Sequence, residues 1–360
     1  MRPASRHTIL LPFLVLLIVL PYCVKRLGDL HLSSGHIKSN ASRIQATQHD
    51  AKVSYVTSFW AKKEGGKVKP HRREVEAALL ANIHNPHFDQ IVVFLDREDS
   101  TESCLDFYQA MSDLSLQVFS MTVKDSNELL TAKVNCVDVQ PGQPTYYDMF
   151  NNALSDVVTG DVVVLANADM AFDDSISLSR SLNPEVLAVL ATSGFSNKMP
   201  PYLKSIYEET MSTAGSKRGH RRSEADDRCP LPLFSWDTYV FHKSKLMGRL
   251  KEEDFKRPNR NNEMIFFYMN ESGAENAALW AVQQSYPFSS TYNACDRIQS
   301  WHFHLAPKTH RKTPWLQVSD VNSPLYVSYP GLVPKPYGFP KKTSTGDPPD
   351  CVRTESCFLQ

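Results

Sequence analysis

The stretch VVVLANADMAF, residues 162–172, offers the first chemistry. An apolar run ends in Asn167-Ala168-Asp169, and a carboxylate at the end of a buried strand is costly unless it has a partner. A hard divalent ion such as Mn²⁺ or Mg²⁺ is one such partner, because it prefers carboxylate oxygens and often keeps phosphate oxygens as further ligands. A turn or helix cap uses the same residue types, and Asp173, Asp174 and Ser175 suit a helix start. A second candidate is GAEN, residues 273–276, which sets Glu275 at a helix N-terminus. There it serves as a cap favoured by the helix dipole, or as a base or hydrogen-bond anchor beside an acceptor hydroxyl. In WHFH, residues 301–304, His302 and His304 alternate onto one face of a strand. One imidazole completes a mixed oxygen and nitrogen metal shell with Asp169, or both are core residues. The basic run 308–312, with Arg311 in it, suits a diphosphate or plain solvent. Ser235-Trp236-Asp237 offers Trp236 to stack on a sugar ring and Asp237 to bind hydroxyls; a core tryptophan and a turn aspartate fit equally.

Elements must carry these residues to one place. The residues VSYVTSFW, 53–60, predict a first strand, and 74–83 has apolar residues at helical spacing. A second strand is expected over 90–95, ending at Asp96, and the alternation over 115–123 predicts a third. A helix is expected over 145–154 and a buried strand over 161–166. Strands alternating with helices indicate an α/β sheet with a parallel core, whose ligands lie beyond the carboxyl ends of the strands. Thr57, Ser58, Asp96 and Asp169 fall at those ends. The second half is less regular: a charged loop over 215–228, a strand over 234–242, a helix over 273–283 and a strand over 298–305. Prolines become frequent from 321 onward, which predicts an extended tail.

The chain has 360 residues, no net formal charge and 42% hydrophobic residues, enough for a large core. Balanced charge argues against a global nucleic-acid binder, which needs a basic field. Residues 8–24 carry no charge. As a helix they cover about 26 Å, near the thickness of a hydrocarbon core. Flanking basic residues and the lack of a small-x-small site after Val24 favour an uncleaved signal anchor over a cleaved signal peptide. Arg2 and Arg6 would keep the tail cytosolic. Either way the remainder enters the secretory lumen. The polar stretch 27–52 reads as a stem. Seven cysteines occur. Without Cys23, six remain for three disulfides in an oxidising compartment, and Cys351 and Cys357 are the easiest pair to expect. Asn40 and Asn270 open glycosylation sequons.

The order of these features resembles the GT-A-fold glycosyltransferases: strand, Arg-Arg-Glu helix, strand ending in Asp96, helix, VVVLANADMAFDD, GAEN, WHFH. The resemblance covers about residues 53–315. It implies a GT-A fold, a mixed and mostly parallel sheet flanked by helices. Asn167-Ala168-Asp169 is similar to that family's Asp-x-Asp motif, which implies Asp169 as metal ligand and Asn167 as a ribose or sugar contact. GAEN is similar to the Gly-Gly-Glu-Asn or Gly-Gly-Glu-Asp segment of luminal galactosyl- and N-acetylgalactosaminyltransferases. That implies Glu275 at the sugar or acceptor, with Asn276 where some members have a second acid. ACDRIQSWHFHLAPKTHRKTP, residues 294–314, resembles the segment whose histidine binds the metal, and His302 is preferred to His304. Asp96 matches the contact to the nucleotide base, with Thr57 nearby.

The organisation implied is a cytosolic tail (1–7), a membrane helix (8–24), a stem (25–52), a GT-A catalytic domain (53–320) and a proline-rich tail (321–360). The function implied is transfer of a sugar from a nucleotide donor, a UDP-sugar foremost, with Mn²⁺ or Mg²⁺, to a glycan or glycoprotein. Glu275 and Asp237 would be catalytic; Thr57, Asp96, Asn167, Asp169 and Arg311 would hold the donor; Asp169 and His302 would hold the metal. The expected location is the Golgi or endoplasmic-reticulum membrane, single-pass type II, with no nucleic-acid partner. The acids missing at Asn167 and Asn276 keep a rival alive: a lectin-like or scaffold protein that has the fold without turnover.

Overall fold

The computed structural model describes residues 51–60, 63–64, 67–68, 70–96, 102–138, 144–190, 193–194, 199–212, 236–258, 264–266, 274–286, 288 and 290–303. The chain divides into two units, Met1–Gln48 and His49–Gln360, and every described residue lies in the second. The expected membrane helix, nearly all of the stem, the tail, both sequons and the Cys351–Cys357 pair lie outside the described residues. No described helix is long and apolar enough to cross a membrane.

The elements run in the order β1 (Val53–Trp60), α1 (Pro70–His84), β2 (Gln90–Asp96), α2 (Cys104–Phe119), α3 (Val123–Lys133), β3 (Val134–Asp138), α4 (Tyr146–Ala153), β4 (Val162–Ala166), β5 (Met170–Phe172), β6 (Val186–Leu190), β7 (Ser193–Gly194), α5 (Pro201–Ser212), β8 (Thr238–His242), α6 (Ala274–Ser285), β9 (Ser290–Asn293) and β10 (Ser300–His302). Seven strands form one sheet in the order β9-β6-β8-β4-β1-β2-β3. Neighbours are parallel except around β8, which runs antiparallel to both β4 and β6. The fold is therefore mixed α/β with a mostly parallel sheet. Alternate side chains of each strand face opposite layers. Tyr55, Val93, Val164 and Val240 join one core with α1, α2 and α5. Val56, Val92, Leu165, Tyr239 and Phe241 join the other with α4 and α6.

The strand expected over 115–123 is absent; those residues belong to α2, α3 and the turn between them. Helix α2 opens with a capping box, Ser103 and Asp106 each accepting from the other's backbone N–H. Its buried residues Phe107, Met111 and Leu114 recur at helical spacing. The third strand is β3, tied to the start of α2 by the Cys104–Cys136 disulfide. The strand expected over 298–305 is, where described, only Ser300–His302, preceded by a 3-10 turn over Ala294–Asp296.

Two local arrangements yield stability predictions. Gly160 sits where β4 approaches β1, its N–H donating to Ser54 Oγ at 2.9 Å. A Cβ there would lie 2.5 Å from Ser54 Oγ and 2.7 Å from its backbone nitrogen. Gly160→Ala is expected to cost about 1–3 kcal/mol through overpacking, read as a lower urea midpoint. His84, in the last turn of α1, stacks on Phe119 with centroids 3.8 Å apart. Burial, and then nearby Lys133, push its pKa down to about 4. The unfolded ring takes a proton near pH 6.5, so this contribution is complete above that pH and is lost as pH falls toward 4. About 1–2 kcal/mol should vanish over that window, allowing for solvent screening of a partly exposed ring. His84→Gln should flatten that part of a stability-versus-pH curve.

Candidate functional site

Strand β1 has β2 on one side and β4 on the other, so the order of crossovers reverses beside it. Such a reversal opens a crevice beyond the carboxyl ends of the strands. Pairing of Val56 with Leu165 sets the end of β4 beside Thr57, and β1 runs on past it to Trp60. Thr57 Oγ1 donates to the carbonyl of Ala166 at 2.8 Å, and the Tyr55 hydroxyl donates to that of Asn167 at 3.3 Å. Asn167-Ala168-Asp169 is thus held at the mouth of the crevice by side chains of β1.

Beyond Asp169 the chain enters a second, three-stranded sheet ordered β5-β10-β7. Strand β10 is antiparallel to β5, with His302 opposite Met170. The Phe303 N–H donates to the Asp169 carbonyl at 2.8 Å. This register delivers His302 Nε2 to Asp169 Oδ2, to which it donates at 2.8 Å. Asp169 is 8% exposed, so its charge needs such a partner. Helix α1 supports β5 from behind: Asn82 donates to the Met170 carbonyl at 2.7 Å and accepts from the Phe172 N–H at 3.1 Å. Asn85 adds a bond to the Phe172 carbonyl at 3.1 Å.

Across β4, strand β8 brings Asp237. The backbone N–H of Asn167 donates to the Asp237 carbonyl, and the Asn167 amide donates to Asp237 Oδ1, both at 3.0 Å. An asparagine here therefore does what an acid could not, since it donates to a neighbouring carboxylate. Tyr239, two residues on, donates to the Glu275 carbonyl at 2.6 Å and so ties β8 to the first turn of α6. A small hollow lies between Asn167, Asp237, Tyr239 and Tyr146 of α4.

The structure brings together Thr57, Asn167, Asp169, Asp237 and His302. Glu275 opens α6, in the first turn, where the sequence placed it. Trp236 is fully buried, which takes the core alternative and removes it as a stacking surface. Asp96 ends β2, and its side chain lies outside the described residues, as do Asn276, His304 and Arg311. Among the described residues no three His, Cys, Asp or Glu side chains cluster to hold a metal by themselves. Asp169 and His302 nonetheless fit Mn²⁺, which accepts mixed oxygen and imidazole donors and fills remaining positions with phosphate and water. The sequence reading missed Tyr146 and Tyr239. Each sits at a core position of its element, and no spacing separates such a tyrosine from a packing residue.

No protein-family model matches the chain, and no curated protein matches it. Among solved structures it is similar to the mannosyltransferase PcManGT from Pyrobaculum calidifontis, which was solved with GDP-Man and Mn²⁺. Identity is 12% and the TM-score 0.39, over 81% of this chain and 65% of that one. It is also similar to GalNAc-T7, solved with UDP, GalNAc and Mn²⁺, at 11% identity and a TM-score of 0.37 over 78% and 47%. A third likeness is to 4-diphosphocytidyl-2C-methyl-D-erythritol synthase from Anaerococcus prevotii, at 12% and 0.28 over 56% and 74%. The chain spans less than two thirds of the length of the first two. With every one of these TM-scores below 0.5, the site stands on its own geometry.

The support of β5 by α1 is testable. Asn82→Ala leaves the Met170 carbonyl and Phe172 N–H buried without that partner. It is expected to cost about 2–4 kcal/mol, measured by chemical denaturation, and to loosen the alignment of Asp169 with His302.

Proposed function

We propose that the protein is a metal-dependent glycosyltransferase of GT-A type, moving a sugar from a nucleotide-sugar donor, a UDP-sugar foremost, to a glycan or glycoprotein acceptor. The observation that carries this reading is the 2.8 Å pairing of Asp169 with His302 at the strand-end crevice. A carboxylate and an imidazole from segments 133 residues apart, the first buried and the second half-buried, form the protein's share of a divalent-ion shell. When bound, such an ion neutralises the charge developing on a departing diphosphate. Thr57 and Asp96 flank the crevice on the β1 and β2 side, where the nucleotide base and ribose would sit. Asn167 and Asp237 face the transferred sugar. Glu275 acts as a base on the acceptor hydroxyl or as its anchor, and Arg311 pairs with the diphosphate. The Cys104–Cys136 disulfide and the disulfide-bonded Cys295 support a luminal location. In this reading the Golgi or endoplasmic-reticulum membrane holds the chain through residues 8–24.

The rival, a lectin-like protein without turnover, draws on Asn167. Its amide satisfies Asp237 rather than adding charge at the metal. Turnover separates the two. The full-length chain is incubated with UDP-galactose, UDP-N-acetylgalactosamine, UDP-glucose or GDP-mannose, with Mn²⁺ or chelator, and free nucleotide is measured. Release from one donor, lost with chelator and in Asp169→Ala, is the expected outcome. Donor binding by calorimetry without release, even with glycoprotein acceptors added, would favour the rival. Tight Mn²⁺-dependent donor binding by Asp169→Ala would remove that residue from the site.

A further inference from the structure

Tyr146 presents an unmet demand beside this site. The residue is 2% exposed, and its hydroxyl is buried with no hydrogen-bond partner among the described residues. A buried phenol without a partner is costly, and native proteins seldom keep one without reason. Its place is fixed from several sides. Thr145 caps α4 in a reciprocal box with Asp148, and the ring packs edge-on against Tyr239 with centroids 6.4 Å apart. Tyr146 lines the hollow with Asn167, Asp237 and Tyr239. That hollow has room for about one water-sized group.

The surroundings select what that group is. Burial, followed by the charges of Glu275, Asp237 and Asp169, holds the phenol protonated far into alkaline pH. Tyr146 is therefore a donor. Its partner must accept from it, and carboxylate or phosphate oxygens are disfavoured among three acids. An ammonium group could only donate to the phenol oxygen and would leave the Tyr146 O–H without an acceptor. A neutral hydroxyl accepts from the phenol and also donates to a carboxylate such as Asp237. Topology says which hydroxyl. The hollow lies on the β4 and β8 side of the crevice, whereas the reading above sets the nucleotide on the β1 and β2 side.

We propose that Tyr146 is a specificity-determining residue that reads one hydroxyl of the transferred sugar ring, which enters the hollow between Asn167 and Asp237. This rests on the glycosyltransferase reading above. The test uses the full-length chain with Mn²⁺. Binding of UDP, of the donor that the wild-type protein accepts, and of each mono-deoxy analogue of that donor's sugar ring is measured for wild type and Tyr146→Phe.

The variant should bind UDP within about twofold of wild type and the intact donor about five- to tenfold more weakly, the loss of one neutral hydrogen bond. One deoxy analogue should be weakened for wild type but not further for Tyr146→Phe. Thermal stability without ligand should be unchanged or higher, because an unsatisfied hydroxyl has been removed. Equal donor binding by the two proteins overturns the role of Tyr146 and leaves the transferase reading intact. A variant clearly less stable without ligand overturns it too, since the hydroxyl then serves the fold through a resident water. If the wild type binds no nucleotide sugar, both readings fall together.

Discussion

The site depends on one short stretch of backbone pairing. Strand β10 lies against β5 with His302 opposite Met170, and Phe303 bonds back to the Asp169 carbonyl. That register decides which residue of the late segment meets the carboxylate. A slip of one position would turn the imidazole to the other face of this small sheet, because side chains alternate. The pairing is only three residues long, so it needs support. Helix α1 gives it through Asn82 and Asn85, whose amides bond the β5 backbone much as a further strand would. The helix that packs on the main sheet thus also sets the geometry of the small one.

The main sheet explains why the site lies here. Strand β1 is flanked by strands reached through opposite crossovers, and the end of β4 lies beside Thr57 of β1. Charge at that point sits against an apolar core, so Thr57 and Asn167 are both engaged by structural partners. Thr57 bonds Ala166, and Asn167 bonds Asp237. The antiparallel strand β8 adds a second side to the crevice. It brings Asp237 to Asn167 and, through Tyr239, fixes the start of α6. An asparagine in the first position of the motif acquires a physical reason: two carboxylates at that spacing would repel, whereas an amide donates.

Much of this was legible in the residues. The apolar alternations of β1, β2 and β4, and the carboxyl-end positions of Thr57 and Asp169, follow from period-two patterning and from rules for parallel sheets. The error over 115–123 was local. Alternation across a short window overlapped the end of a helix, while the capping pair Ser103 and Asp106 marked that helix's true start. Trp236 stayed open between core and stacking surface because tryptophan serves both, and only its complete burial separates the two.

What the sequence determined by itself was the inventory: a carboxylate after a buried strand, a histidine on an alternating segment, an acid opening a helix, cysteines suited to an oxidising compartment. Each follows from local periodicity and side-chain chemistry, which act over a few residues. The assembly was decided by tertiary structure. Asp169 and His302 are 133 residues apart, and nothing in either segment encodes their register. Asn167 and Asp237 meet because β8 inserts beside β4 in the reverse direction. Tyr146 joins the same place although its local pattern is that of a core residue in an amphipathic helix. Such contacts arise from the packing of whole layers, whose cost and gain are summed over the domain rather than over any one segment.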